Sequence, residues 1–283
     1  MTEKTATIKE RAKTLDTPKE LQEFLEAGVH FGHQKSEVHP GMFPFIFGVR
    51  NNVHIIDVAR TKERLDTVLD FIKTLNAEGR TILFVGTKFP IREVTRKTAE
   101  ATGMPHVTEY WAGGTLTNWK NIQERIEHLK DLESKKKSDE WQKYTKHERL
   151  QMEREMAKLE KKLGGIKDMT KRPDALFVVD AAEDVLAITE ARQLGIPIMA
   201  IVDTNINPAS VDYPIPANDD AISSVKLILK KVEEALIKSK GSAPAKNEIN
   251  EIMDKKTAKD SNLKPLAPAS HGRGPDRSVM TKI

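Results

Sequence analysis

The residues best placed to do chemistry sit where apolar runs end. FVGTK (84–88) closes one such run with Gly-Thr-Lys. The backbone amides there, the start of a following helix and the Lys88 ammonium can together hold a phosphate. The spacing is neither GxxxxGK[ST] nor GxGxxG, so no nucleotide cofactor is expected. An RNA phosphate suits the same atoms, and so does a purely structural role. Asp180 and Asp203 each end another apolar run, and open α/β sheets bind ligands at that edge. With His33 they make a candidate cation site. With Lys88 and Thr204, Asp180 makes a candidate phosphoacceptor. Capping of loops is the plain alternative to both. His30 and His33 in HFGH, with His39 and His54, are a second metal-like set. Three-residue spacing puts two histidines on one face only in a helix, which the glycines oppose, and the chain has no cysteine. No metal site is assigned. Ser, His and Asp occur without a GxSxG elbow. No catalytic constellation is found, and no cofactor or small-molecule substrate is expected; an enzyme or phosphate-binding signalling domain on the same kind of sheet is the competing class.

WAGGTLTNW (111–119) carries a different signal. Gly113 and Gly114 allow close backbone approach. Thr115, Thr117 and Asn118 supply neutral donors, and Lys120 follows. Trp111 and Trp119 can stack on bases or anchor the segment, and anchoring is the usual role of tryptophan. Beyond them Ile122, Ile126, Leu129 and Leu132 form a narrow apolar helix stripe. Trp141, Tyr144, Met152, Met156, Leu159 and Leu163 form a second after a break near Ser138-Asp139. Charged residues cover the other faces, so the two helices are expected to bury their stripes against each other as an antiparallel coiled-coil hairpin, closed by Gly164-Gly165. Arg125, Lys130, Lys135, Lys136, Lys137, Lys143, Lys146, Arg149 and Arg154 lie along this rod. It reads as a phosphate track or as a spacer with a solvated surface.

Charge helps to decide. The 283-residue chain has a net charge of +4. Residues 118–173 hold 16 Lys and Arg against 11 Asp and Glu, and 239–283 hold 9 against 5. Residues 1–117 are near neutral, whereas 174–238 hold 5 against 11. A polyanion should prefer the hairpin and tail and avoid the acidic segment. That segment, with Asp212, Asp219 and Asp220, suits protein contacts. The absence of cysteine fits a reducing compartment. The polar N-terminus lacks a secretory pattern, and no apolar run approaches a membrane span.

The elements follow from periodicity. Residues 1–17 are expected to be a flexible tail. Thr17-Pro18 opens a short helix with Leu21, Phe24 and Leu25 on its apolar side, broken by AGVHFGHQ. Residues 34–50, with Pro40, Gly41, Pro44 and Gly48, read as an ordered loop. Five strands are expected, at 53–57, 81–86, 106–111, 175–180 and 196–203. They alternate with helices at 61–76, 89–102, 183–194 and 219–238, the last after a proline-rich loop, NPASVDYPIP. This alternation predicts an α/β domain over 18–117 and 174–238, built on a doubly wound five-stranded parallel sheet with the hairpin 118–173 inserted. Residues 239–283 lose periodicity and read as a disordered basic tail.

The order AGVHFGHQ, FIFGVRNNVHIID, ILFVGTK, YWAGGTLTN, RPDALFVVD, EARQLGIPIMAIVDTN and DYPIPANDDAISSVKLI closely resembles the family of bacterial ribosomal small-subunit protein two. The likeness runs over about residues 18–238. It implies a flavodoxin-like domain with a helical-hairpin insertion and a non-enzymatic role in the small subunit of the cytoplasmic ribosome, between head and body. It also implies contact with ribosomal RNA and neighbouring ribosomal proteins, and support for docking the large mRNA-binding protein one. Carried onto this chain, it makes the loop 113–118 and the basic hairpin the first candidates for RNA contact. It brings no catalytic residues.

Overall fold

The computed structural model describes residues 19–239. The expectations for both terminal tails lie outside these residues, as does the Thr17-Pro18 helix start. The described residues open with α1 (Lys19–Glu26) and a small antiparallel sheet of β1 (Phe31–Gln34), β2 (Ile46–Arg50) and β3 (Val53–Ile56), ordered β1-β3-β2. Asn51 and Asn52 join β2 to β3 with φ of 49° and 63°. Two consecutive left-handed residues are what a tight hairpin turn needs, and asparagine tolerates them. The segment 34–50 is thus not simply a loop, and Val53–Ile56 does not enter the parallel sheet. The Asn-Asn pair marks a hairpin, which overrides the strand-then-helix rhythm.

Next come α2 (Val58–Ala77), β4 (Ile82–Val85), α3 (Arg92–Thr102), β5 (His106–Val107), α4 (Trp119–Lys137), α5 (Lys146–Leu163), β6 (Ala175–Val178), α6 (Val185–Gln193), β7 (Ile198–Val202), β8 (Tyr213–Pro216) and α7 (Ile222–Ser239). The large sheet is parallel and five-stranded, ordered β5-β4-β6-β7-β8. Numbered within the sheet this is 2-1-3-4-5, the order of flavodoxin-like sheets. The expected count of five is met with a different member. The fifth strand is β8, which the two prolines had disguised as loop. It pairs only with β7, and an edge strand tolerates missing N–H groups.

Alternate residues of each strand enter opposite cores. Ile82, Phe84, Phe177, Met199 and Ile201 meet α2, α3 and α7 on one face. Leu83, Val85, Leu176, Val178, Ala200 and Val202 meet α6 and the base of α4 on the other. Burial on both faces explains why these strands are continuous apolar runs.

Helices α4 and α5 pack on each other, and a short 3-10 turn at Asp139–Lys143 lies between them. Thr145 and Glu148 form a capping box that starts α5. Lys136 pairs with Glu153 at 3.1 Å and His128 with Glu155 at 3.0 Å, both from α4 to α5. One expectation needs correction. The stripes do not bury only against each other, because Trp119, Ile122 and Ile126 share a core with Val107 and Leu176 of the sheet. The foot of α4 is therefore part of the body. In α5 only Leu163 is buried. At the exit, Gly165 lies so close to His106 that a Cβ there would strike its carbonyl oxygen.

Candidate functional site

The loops after β4, β6, β7 and β8 converge beside β1. Lys88 follows β4, and its Nζ lies 2.7 Å from Asp180 Oδ2, 2.8 Å from Asp220 Oδ1 and 3.4 Å from Asp219 Oδ1. His33 closes the cluster from β1. Its Nδ1 is 3.2 Å from Asp203 Oδ1, off the hydrogen-bond line, and its Nε2 is 3.6 Å from Asp220 Oδ2. Gly32 permits this approach, since a Cβ there would meet Thr204 Cγ2 at 2.5 Å. The His33 amide then donates to Thr204 Oγ1.

Four carboxylates thus face two cations, and Asp180, Asp203 and Asp219 are buried. The contact with Asp203 is the main reason the His33 imidazole is pushed up to about 9; burial opposes it, and Asp219 and Asp220 add to it. Burial, then the charges of Asp180 and Asp203, push the Asp219 carboxyl up to about 7. Burial works against the Lys88 ammonium, but Asp180 and Asp220 outweigh it and raise it above the usual lysine value. The bond to Lys88 holds Asp220 below the usual carboxylate value. One ligand atom each of His33, Asp203 and Asp219 lies within 4.8 Å of the others. Asp219 Oδ2 is buried without a hydrogen bond. These three are the side chains that can hold a cation. Asp180 is engaged elsewhere, by Lys88 and by the amides of Ala182 and Glu183.

The Gly-Thr-Lys turn does not present a phosphate cradle. The Thr87 amide and hydroxyl donate to Asp184 at 3.2 and 2.8 Å. Burial pushes the Asp184 carboxyl up to about 6; the Thr87 bonds oppose this, and Asp180 and Glu183 reinforce it. Lys88 is surrounded by anions, a setting that repels phosphate. Its ammonium is paired with Asp180, Asp219 and Asp220.

The loop after Trp111 is held by one carboxylate. Glu190 of α6 accepts from Trp111 Nε1 (3.1 Å), Gly114 N (2.8 Å), Leu116 N (2.9 Å), Thr117 N (3.1 Å) and Thr117 Oγ1 (3.1 Å). Thr115 Oγ1 donates to Ala112 O. Burial pushes the Glu190 carboxyl up, but the bonds from Thr117, Leu116, Trp111 and Gly114 outweigh this and hold it below its usual value. Gly114 has φ +87°, a left-handed turn that glycine makes without strain.

The Ribosomal protein S2 family model matches residues 24–239, from α1 through α7. The chain belongs to the ribosomal protein S2 family. Members are small-subunit ribosomal proteins, components of the translating ribonucleoprotein, and the family is a structural one rather than an enzyme family.

Within this S2 fold the residues singled out from the sequence separate into two groups. Gly114, Thr115 and Thr117 are turned inward to Glu190 and Ala112, while Gly113, Asn118 and Lys120 remain exposed. Trp111 and Trp119 are both buried, so they anchor rather than stack on bases. Asp219 is buried in the cluster, whereas Asp212 and Asp220 reach solvent. Along the hairpin Arg125, Lys130, Lys135, Lys137, Lys143, Lys146 and Arg154 are exposed, Arg149 is half-buried, and none forms an ion pair with a described residue. Lys136 is exposed but paired with Glu153. Sequence reasoning missed Glu190 and Asp184. Glu190 is the one acid on the otherwise apolar buried face of α6, beside Ala187, Ile188 and Ala191. That misplaced charge was the available signal.

Proposed function

We propose that this chain is a structural constituent of the small ribosomal subunit that binds ribosomal RNA through its inserted helical hairpin, an antiparallel coiled coil. It contacts neighbouring ribosomal proteins at the head-body junction and supports docking of the mRNA-binding protein one there. The single observation that carries the RNA assignment is the row of exposed cations Arg125, Lys130, Lys135, Lys137, Lys143, Lys146 and Arg154, which lack ion-pair partners among the described residues; Lys136 is paired with Glu153 and Arg149 is half-buried. An exposed cation with no internal partner gains most from a phosphate, through release of condensed counterions. RNA contact is assigned to Gly113, Asn118, Lys120 and the hairpin cations, and not to Lys88. Protein contact is assigned to the acidic segment 174–238, with Asp220 exposed beyond the end of β8 and Asp212 exposed before its start.

Replacing Lys135, Lys136 and Lys137 together with Glu tests the RNA assignment. Affinity for small-subunit RNA should fall, and the slope of log affinity against log salt should flatten by roughly two to three units. An unchanged slope would show that the hairpin tip is not on phosphate.

A further inference from the structure

Two aromatic rings stand in solvent beside cations that the row from Arg125 to Arg154 does not include. Phe89, just past β4, is 83% exposed, and Tyr110, just before the clamped loop, is 58% exposed. The Arg92 guanidinium lies 5.9 Å from the Phe89 ring centre, and Lys162 Nζ lies 5.6 Å from that of Tyr110. The two rings are linked through Glu109, whose Oε2 is 3.4 Å from both Arg92 Nη1 and Lys161 Nζ. These residues bring three cations and one acid, and the acid is already paired on both sides.

Ligand chemistry follows from this composition. Exposed rings gain by being covered, and the surrounding positive charge selects an anion to cover them. A nucleotide supplies both, since every base has a π face and every linkage a phosphate. Paired bases are stacked inside a duplex and offer no free face, so the occupant is single-stranded. We infer that Phe89 and Tyr110, flanked by Arg92, Lys161 and Lys162, form a stacking platform for unpaired nucleotides of RNA. This rests on the RNA reading above but names a second contact, off the hairpin tip and toward unpaired rather than helical RNA.

The test uses the full-length chain with Phe89→Ala and Tyr110→Ala, singly and together. Both rings are exposed, and circular dichroism with a thermal melt checks that the fold is kept. Binding is measured to a short unstructured RNA of mixed sequence and to the same sequence as a duplex. Affinity for the single strand should fall roughly tenfold per ring, with duplex affinity and the salt slope unchanged. Phe89→Trp should retain binding. In assembled small subunits, ultraviolet cross-linking should attach nucleotides to the peptides carrying Phe89 and Tyr110. Equal losses on both RNAs, or no loss on either, would overturn the platform. So would adducts on the hairpin lysines without any at Phe89 or Tyr110, which leaves the hairpin assignment standing. Adducts nowhere on the chain would remove the RNA reading itself. Lost subunit incorporation with intact single-strand affinity would make the surface a protein contact instead.

Discussion

Replacing Glu190 with Gln should loosen the loop that sets where the hairpin leaves the body. Glu190 Oε1 accepts from Trp111 Nε1 and the Gly114 amide, and Oε2 accepts from the amide of Leu116 and both donors of Thr117. A glutamine has one acceptor oxygen, so in either orientation its NH2 group faces donors. Two or three donors then lose their partner. An unpaired buried donor costs about 1–3 kcal/mol, and several of these are only partly buried, so water recovers part of the loss; a total of about 2–4 kcal/mol is expected. Denaturant unfolding followed by tryptophan fluorescence reads it as a lower midpoint at unchanged slope. Hydrogen exchange should localise it, with faster exchange at Gly114, Leu116 and Thr117 and little change in β6 and β7. The pH dependence has a definite sign. The folded Glu190 pKa is depressed, so its contribution is present above the unfolded value near 4.5 and lost as pH falls through the folded value. The gap between wild type and variant should close in acid. A cost below about 1 kcal/mol at neutral pH, or exchange unchanged in the loop, would refute the idea that this carboxylate holds it.

The remaining expectations concern the strand-end cluster and the hairpin exit. Lys88→Met should destabilise by about 2–4 kcal/mol, allowing for the partial exposure of the ammonium, because buried carboxylates lose their cation. The Asp219 carboxyl is already pushed up to about 7, and Lys88 is what lowers it. Without Lys88 it rises further, so the deficit measured by urea unfolding should grow between roughly pH 6 and pH 8. Gly165→Ala should cost about 2–3 kcal/mol, since the methyl meets backbone at His106. Gly164→Ala meets only the end of the Glu160 side chain and should change stability by less than about 1 kcal/mol; thermal melts of the pair separate the two. Asp212→Asn with Asp220→Asn should weaken binding of protein one to assembled subunits while sparing incorporation, read by co-sedimentation. Loss of incorporation would sink the protein-contact assignment.

The parallel strands were legible because a strand buried on both faces leaves a continuous apolar run, as at 82–85 and 175–178. The two strand errors have physical causes. β8 carries Pro214 and Pro216, and only its place at the edge makes them harmless. Val53–Ile56 has the composition of a buried strand, but the Asn51-Asn52 turn before it commits it to a hairpin. The two helices were readable from their stripes, although Trp141 and Tyr144 lie before α5 rather than on it. Which stripe residues join the sheet core was not, because that depends on where Trp119 lands. In the candidate sites, Asp180 and Asp203 were visible as strand-end residues, with His33 as a companion from the HFGH segment. Their partners were not, since Lys88 reaches Asp219 and Asp220 across 131 and 132 positions of chain. Residues 113–118 looked like a set of free donors because the residue that accepts from them lies more than seventy positions away, at Glu190.

The most direct test of the central claim is sedimentation of a cell lysate through a magnesium-containing gradient, with fractions probed for this chain. Stoichiometric migration with small subunits, resistant to moderate salt, is the predicted result. Migration as a free protein, absent from the subunit fractions, would contradict it.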